Sequence, residues 1–134
     1  MWHYQLTPAF LDTDALGHIN NTNLPRWFEA ARNDVFRLFT PDLDPQQWRL
    51  ILARIEVDFL GELFFGHDIE IRTYIGRLGN SSFTVIQQAW QQGELAAQGK
   101  ATLVHYDFSE QQAVPLPDDI RAELTHHLLP QEEG

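Results

Sequence analysis

The chain contains one long amphipathic segment, and that segment limits the folds it can adopt. Apolar residues recur at alternating spacings of four and three over residues 24–38. This spacing places five side chains along one face of a helix, namely Leu24, Phe28, Ala31, Val35 and Leu38. Pro25 fits the first helical turn, because N–H groups in that turn have no acceptor within the helix. This position of Pro25 predicts Thr22 or Asn23 as the N-cap. A helix with one apolar stripe needs a second layer to bury it.

The other segments are predicted to be mainly strands. Residues rich in β-favouring types occupy 2–11, 50–60, 68–78, 83–92 and a long run ending near 108. Short turns such as "GNSS" (79–82) favour antiparallel neighbours. After a loop with two prolines, residues 118–129 predict a short helix capped by Asp118. The order of elements therefore predicts an α+β chain, in which an antiparallel sheet wraps around one central helix.

Length, charge and cysteine content exclude several classes of protein. The 134 residues suit one domain spanning 1–134. The absence of cysteine excludes disulfides, thiolate catalysis and sulfur-ligated zinc. A net charge of −10 argues against nucleic-acid and anionic-membrane partners, and against polyanionic small molecules unless cations cluster locally. No signal peptide or membrane-spanning run is visible, so we expect a soluble, cytoplasmic protein.

The predicted sheet would carry apolar side chains on the face turned away from the helix. These are Ile86, Trp90, Val104 and Tyr106. If these side chains are exposed on a monomer, they form an apolar patch that favours protein association, and a symmetric dimer is the simplest arrangement that covers it.

The polar stretch "DTDALGHINN" (12–21) directly precedes the predicted helix. It could be an ordinary turn, because Asp, Asn and Gly are turn residues and Asn is a good N-cap. It does not fit a calcium loop, because Leu16 and Asn23 occupy positions where oxygen ligands are required. A carboxylate on a loop beside a helix N-terminus can instead act on a carbonyl whose oxygen is held by helix N–H groups.

The region "DTDALGHINNTNLPRWFEAAR" resembles the signature of hotdog-fold acyl-CoA thioesterases of the 4-hydroxybenzoyl-CoA thioesterase type. In that family an Asp-x-Asp-x-x-Gly loop precedes the central helix. The resemblance continues through "IEVDFLGELFFGHDIEI", "RLGNSSFTV" and "AAQGKATLVHYDF" and so covers nearly the whole chain. It implies a hotdog fold, a homodimer or a dimer of dimers, and active sites at the subunit interface. It implies no metal and no cofactor.

The resemblance also assigns roles to individual residues. Asp14 matches the catalytic carboxylate, and Asn21, seven residues on, matches the position whose backbone N–H polarises the thioester carbonyl. His18 and Asn20 belong to the Gly-His-x-Asn-Asn variant of the motif and are expected to shape or hydrogen-bond the site, His18 as a candidate catalytic residue and Asn20 as a candidate substrate-binding residue. Two further pairs are candidates for substrate binding. They are Ser81 with Ser82, at the position of the family's hairpin serines, and Arg72 with Arg77, as a cation cluster for CoA phosphates.

Thioester hydrolysis suits a site with one carboxylate and one oxyanion donor. The leaving thiol has a pKa of about 8.5, so it departs as thiolate without a strong general acid. The sequence does not decide whether Asp14 attacks the carbonyl or activates water. The alternatives are hydrolysis of carrier-protein thioesters and acyl-CoA binding without turnover. A third is dehydration of hydroxyacyl thioesters, although the histidine and acid set that it needs is not found.

Overall fold

The computed structural model describes residues 1–15 and 17–130. Its strands are β1 (Trp2–Leu6), β2 (Leu50–Phe59), β3 (Ile69–Leu78), β4 (Ser82–Gln91), β5 (Glu94–Asp107) and β6 (Gln112–Ala113). Its helices are α1 (Asn23–Ala31), α2 (Asn33–Phe39) and α3 (Asp118–Thr125), and short 3-10 turns occur at Phe10–Asp12 and Pro45–Gln47.

The strands form one antiparallel sheet in the order β1-β3-β4-β5-β2, and β6 pairs with the end of β5. The first and the last strand of this order, β1 and β2, are therefore the sheet edges. Side chains alternate along β3 and β4, with one set buried under the helices and the other set on the outer face. The predicted α+β architecture, with a sheet curled around the main helix, is confirmed.

Four details differ from the sequence prediction. The first strand ends at Leu6, before Pro8, which cannot donate to a sheet ladder. The predicted single helix is divided into two at Arg32, where ψ is −7° rather than the usual helical value of about −42°. Asp118 lies in the first turn of α3, whose N-cap is Pro117. The sequence did not predict strand β6, because its two residues are too few to show periodicity.

Helix α1 approaches the sheet closely, because the floor beneath it is built from small residues. Ala89, Ala96 and Ala97 are buried in the same cluster as Leu24 and Phe28 of the helix. At Gly99 of β5, an added Cβ would lie 2.9 Å from the ring of Phe28. The ring therefore occupies the space that a side chain at position 99 would fill.

A buried polar bridge also ties the helix layer to the sheet. The side-chain amide of Gln87 donates to the carbonyl oxygen of Phe28 at 2.8 Å and to Thr73 Oγ1 at 3.2 Å. Arg32, at the break between the helices, donates from Nη1 to Gln87 Oε1 at 3.1 Å, while its buried Nε has no partner among the described residues. Burial lowers the pKa of the Arg32 guanidinium, and the charge of Glu29 partly offsets this effect.

The outer face of the sheet carries the apolar side chains expected there. Ile86, Trp90, Val104 and Tyr106 are half-buried rather than fully exposed. Within residues 1–15 and 17–130, no helix is long and apolar enough to cross a membrane.

We predict that Gly99→Ala lowers the free energy of unfolding by about 1–3 kcal/mol, because overpacking forces a core ring to move. Chemical denaturation measures this change. Gly61→Ala is the matched control, since its added Cβ would meet nothing closer than the Ala96 Cα at 3.9 Å. Equal destabilisation of both variants would show that the contact between Phe28 and Gly99 has no special importance.

Candidate active site

The loop that carries Asp14 is closed by hydrogen bonds at its base. Thr13 and Ile19 form an antiparallel bridge, and the Asp14 N–H donates to the carbonyl oxygen of His18 at 2.7 Å. The His18 N–H in turn donates to Asp14 Oδ1 at 3.2 Å. Gly17 has a φ of +82°, which L-residues with a side chain rarely adopt. The loop therefore reverses tightly and returns the chain to the start of α1.

Asn20 organises the entry into α1. Its side-chain oxygen accepts hydrogen bonds from the N–H and the hydroxyl of Thr22, at 3.0 and 2.9 Å. Thr22 is the N-cap, as predicted, but its own side chain makes no capping hydrogen bond to the described residues. In the described part of the chain, the Asn21 N–H donates to no protein acceptor. A backbone donor at a helix start is thus available to a bound carbonyl oxygen.

Asp14 and Asn21 line one cavity of about 430 Å³. The cavity lies between the loop, the first turn of α1 and the ends of β2 and β5. Its other lining residues are Ile19, Asn20, Leu24, Phe59, Gly61, Glu62, Leu63, Ala96 and Ala97. The structure therefore brings the predicted carboxylate and the predicted oxyanion donor together on the wall of one partly apolar site.

His18 does not line the cavity but contacts a second acid that does. Its Nδ1 is 3.5 Å from Glu62 Oε2, and its ring packs edge-on against Phe64 at 5.1 Å between centroids. Glu62 itself lines the cavity, so the site holds two carboxylates. Sequence reasoning did not single out Glu62. The one available signal was an acid in the glycine-bracketed turn "GELFFG".

The hairpin serines lie apart from Asp14 within one subunit. Ser82 lines a different pocket on the outer face of the sheet. The carbonyl oxygen of Ser81 accepts a hydrogen bond from the His105 N–H at 2.7 Å, so the Ser81 backbone stabilises the fold. Neither serine lines the Asp14 cavity.

Arg72 and Arg77 do not form one cluster. Arg72 donates from Nε to Glu70 Oε1 at 2.6 Å and stacks over the ring of Trp90 at 4.4 Å. This hydrogen bond is the main cause of the lowered pKa of the Glu70 carboxyl. Arg77 lies at the far end of β3, in the same outer pocket as Ser82. In residues 1–15 and 17–130, no group of three or more His, Asp or Glu side chains is arranged to hold a metal ion.

Several known proteins are similar to this chain over most of its length. The chain is 40% identical to a protein described as a predicted thioesterase from Bacillus stearothermophilus, with a TM-score of 0.92 and coverage of 98% of both chains. It is 30% identical to a thioesterase from Thermus thermophilus complexed with coenzyme A and Zn, with a TM-score of 0.79 and coverage of 91% and 95%. It is also 25% identical over 123 residues to the uncharacterized protein YsmA of Bacillus subtilis, covering 91% of this chain and 84% of that protein.

The sequence profile of the thioesterase-like superfamily matches residues 8–124, which is most of the chain. Together with the curled sheet around α1, this match confirms the predicted hotdog fold. The chain belongs to the thioesterase-like superfamily.

Proposed function

We propose that the protein is an acyl-CoA thioesterase that hydrolyses a thioester to a free acid and CoA. The observation that carries the proposal is the shared cavity of Asp14 and Asn21 at the start of α1. Asp14 and Asn21 both line this cavity, and Leu24 and Phe59 supply apolar walls for an acyl group. The relative from Thermus thermophilus is a thioesterase complexed with coenzyme A, which supports CoA as the carrier of the acyl group.

The proposed chemistry needs only these two groups. The Asn21 N–H donates to the thioester oxygen and stabilises the negative charge that develops on it, a contribution of about 3–4 kcal/mol. An Asp14 oxygen either attacks the carbonyl carbon or takes a proton from the water that attacks it. Direct attack forms a mixed anhydride and expels the CoA thiolate, and water then cleaves the anhydride. In both routes the C–S bond breaks and the thiolate takes up a proton from solvent.

The remaining predicted site residues support these two groups. We propose that His18 holds the loop and the Glu62 carboxylate in place, and that Asn20 fixes the helix entry. Ser81, Ser82, Arg72 and Arg77 stay predicted substrate contacts. Because charged CoA thioesters do not diffuse through membranes, we propose a cytoplasmic enzyme.

We also propose a homodimer formed through the edge strand β2. Its helix-facing side exposes three large apolar side chains, namely Leu52, Ile55 and Phe59. Five other large apolar side chains are also exposed, namely Phe10, Leu11, Leu60, Phe64 and Phe65, and Leu60 and Phe64 are adjacent in sequence to residues that line the Asp14 cavity. An exposed sheet edge with apolar side chains is a template for pairing with another strand. A partner on β2 would cover the cavity and place the active site at the subunit interface.

We predict that Asp14→Asn and Asp14→Ala lower kcat for the best acyl-CoA substrate by about 100-fold to 10,000-fold, the usual contribution of a positioned acid–base group. A thiol-release assay over aromatic and medium-chain acyl-CoAs identifies that substrate and measures the loss. Asp34→Asn, which removes an exposed acid of α2, is the matched control.

Glu62→Gln distinguishes the two carboxylates of the cavity. We expect it to lower kcat less than about tenfold, because Glu62 is placed here to position His18. If Asp14→Asn retained full turnover while Glu62→Gln lost it, the catalytic role would belong to Glu62. If neither change affected turnover, the proposed site would be wrong.

The dimer is tested at Ile55, which is 46% exposed on β2. We predict that Ile55→Glu converts the dimer to a monomer in sedimentation equilibrium, because a carboxylate in an apolar interface loses its hydration. Leu128→Glu changes an equally apolar side chain, 41% exposed, outside the strands and is expected to leave the mass unchanged. A wild-type protein that sediments as a monomer would exclude the β2 dimer.

A further inference from the structure

The segment that joins β2 to β3 has few buried contacts of its own. Residues 60–68 are all described by the structure, and Leu63 is the one buried residue among them. The N–H groups of Leu60 and Gly61 donate to the carbonyl oxygen of Ala96, at 2.9 and 3.0 Å, and fix the start of the segment. A surface segment with so little buried area opens at a low free-energy cost unless hydrogen bonds hold it.

The side chain of Gln91, at the end of β4, supplies such hydrogen bonds to the middle of the segment. Only 6% of this residue is exposed. Its Oε1 accepts from the Phe64 N–H at 2.9 Å, and its Nε2 donates to the Phe64 carbonyl oxygen at 2.8 Å and to the His67 carbonyl oxygen at 3.0 Å. The amide therefore pairs with both backbone groups of Phe64, as a neighbouring strand would.

The opposite edge of the same segment bonds the loop that carries Asp14. Successive residues of an extended chain direct their backbone groups to alternate sides, so the two residues that flank the one held by the amide face away from it. The Leu63 carbonyl oxygen accepts from the Ile19 N–H at 2.8 Å, and the Phe65 N–H donates to the Gly17 carbonyl oxygen at 3.4 Å. The segment thus lies between the buried amide and the Asp14 loop and bonds both.

These contacts connect Gln91 to the carboxylate through the backbone. His18 lies opposite Phe64 in an antiparallel bridge between the segment and the loop. The His18 carbonyl oxygen accepts from the Asp14 N–H at 2.7 Å, and the His18 N–H donates to Asp14 Oδ1 at 3.2 Å. A displacement of the segment at Phe64 would therefore displace His18 and, with it, the Asp14 side chain.

We propose that Gln91 is a positioning residue for the Asp14 carboxylate and acts through the backbone of residues 63–65. The proposal rests on the proposed thioesterase function, in which Asp14 acts on the thioester carbonyl. Gln91 does not line the Asp14 cavity, so its effect is on the geometry of the site and not on contact with the substrate. A displacement of about 1 Å at a reacting group is enough to lower turnover by about 100-fold.

The test uses Gln91→Met, which keeps the length of the side chain and removes its three hydrogen bonds. We expect kcat for the best acyl-CoA substrate to fall about tenfold to 100-fold. We expect KM to change less than about threefold, because the apolar walls at Leu24 and Phe59 stay in place. Gln91→Asn keeps an amide but shortens it by one methylene group. It is the second variant if Gln91→Met does not fold, and its kcat is expected to fall as well.

A double variant distinguishes positioning from general destabilisation. If Gln91 acts through Asp14, adding Gln91→Met to Asp14→Ala lowers the residual kcat less than about twofold, because the group that Gln91 positions is already absent. A further loss of about tenfold in the double variant would overturn the proposal. An unchanged kcat in Gln91→Met alone would also overturn it.

Thr40→Val is the matched control, because it too removes a hydrogen bond between a buried side chain and a loop carbonyl oxygen. Thr40 Oγ1 donates to the Gln47 carbonyl oxygen at 3.1 Å, and neither residue lines the Asp14 cavity. We expect this variant to unfold at a lower denaturant concentration with kcat unchanged. A fall in kcat equal to that of Gln91→Met would show that lost stability alone lowers turnover, and the proposal would be wrong.

Amide hydrogen exchange measured by NMR separates this proposal from the thioesterase assignment. In Gln91→Met we expect the N–H groups of Ile19 and Phe65 to exchange about tenfold faster, with those of the central β4–β5 ladder unchanged. If no acyl-CoA were hydrolysed, the thioesterase assignment would fail, whereas faster exchange at Ile19 would still support the coupling of Gln91 to the Asp14 loop. Unchanged exchange at Ile19 would refute that coupling at any level of turnover.

Discussion

The close contact between α1 and the sheet determines the position of every group at the candidate site. Gly99 leaves room for the ring of Phe28, and Gln87 bonds the carbonyl oxygen of the same residue. A bulkier floor would lift the helix, and with it the Asn21 N–H that begins the helical turn. The loop carrying Asp14 is held to that turn through Asn20 and Asn23, whose side chain donates to the Asp12 carbonyl oxygen at 2.9 Å. Packing in the core therefore sets the geometry at the site.

Charge is distributed unevenly over the two faces of the sheet. Asp14 and Glu62 make the cavity beside the helix acidic, whereas Arg77 and Lys100 lie together on the outer face. Overall charge predicted poor binding of polyanions unless cations cluster locally, and Arg77 and Lys100 line one pocket where cations do cluster.

Local periodicity was sufficient to predict the helix, the strands and the antiparallel pairing, because each depends on residues close in sequence. The stripe of Leu24 and Phe28 is buried as expected, and alternate residues of β3, among them Ile69 and Ile71, are buried as well. Contacts between distant segments could not be predicted in this way. A bridge between His18 and Phe64 brings Glu62 to His18, and Arg72 stacks on Trp90 of the neighbouring strand, a contact that Arg77 lacks. The resemblance to a known family supplied the roles of Asp14 and Asn21, which periodicity does not contain.

The burial of Arg32 affects which substitutions this protein can accept during evolution. The buried guanidinium lowers the stability of the fold, because its Nε has no hydrogen-bond partner among the described residues. Replacing buried charges by apolar side chains often raises stability. Selection for heat resistance would therefore act readily on Arg32 and Gln87. The same replacements would weaken the contact between the sheet and the helix that carries the proposed oxyanion donor. For the proposed enzyme, we therefore expect gains in melting temperature and losses in turnover to arise together.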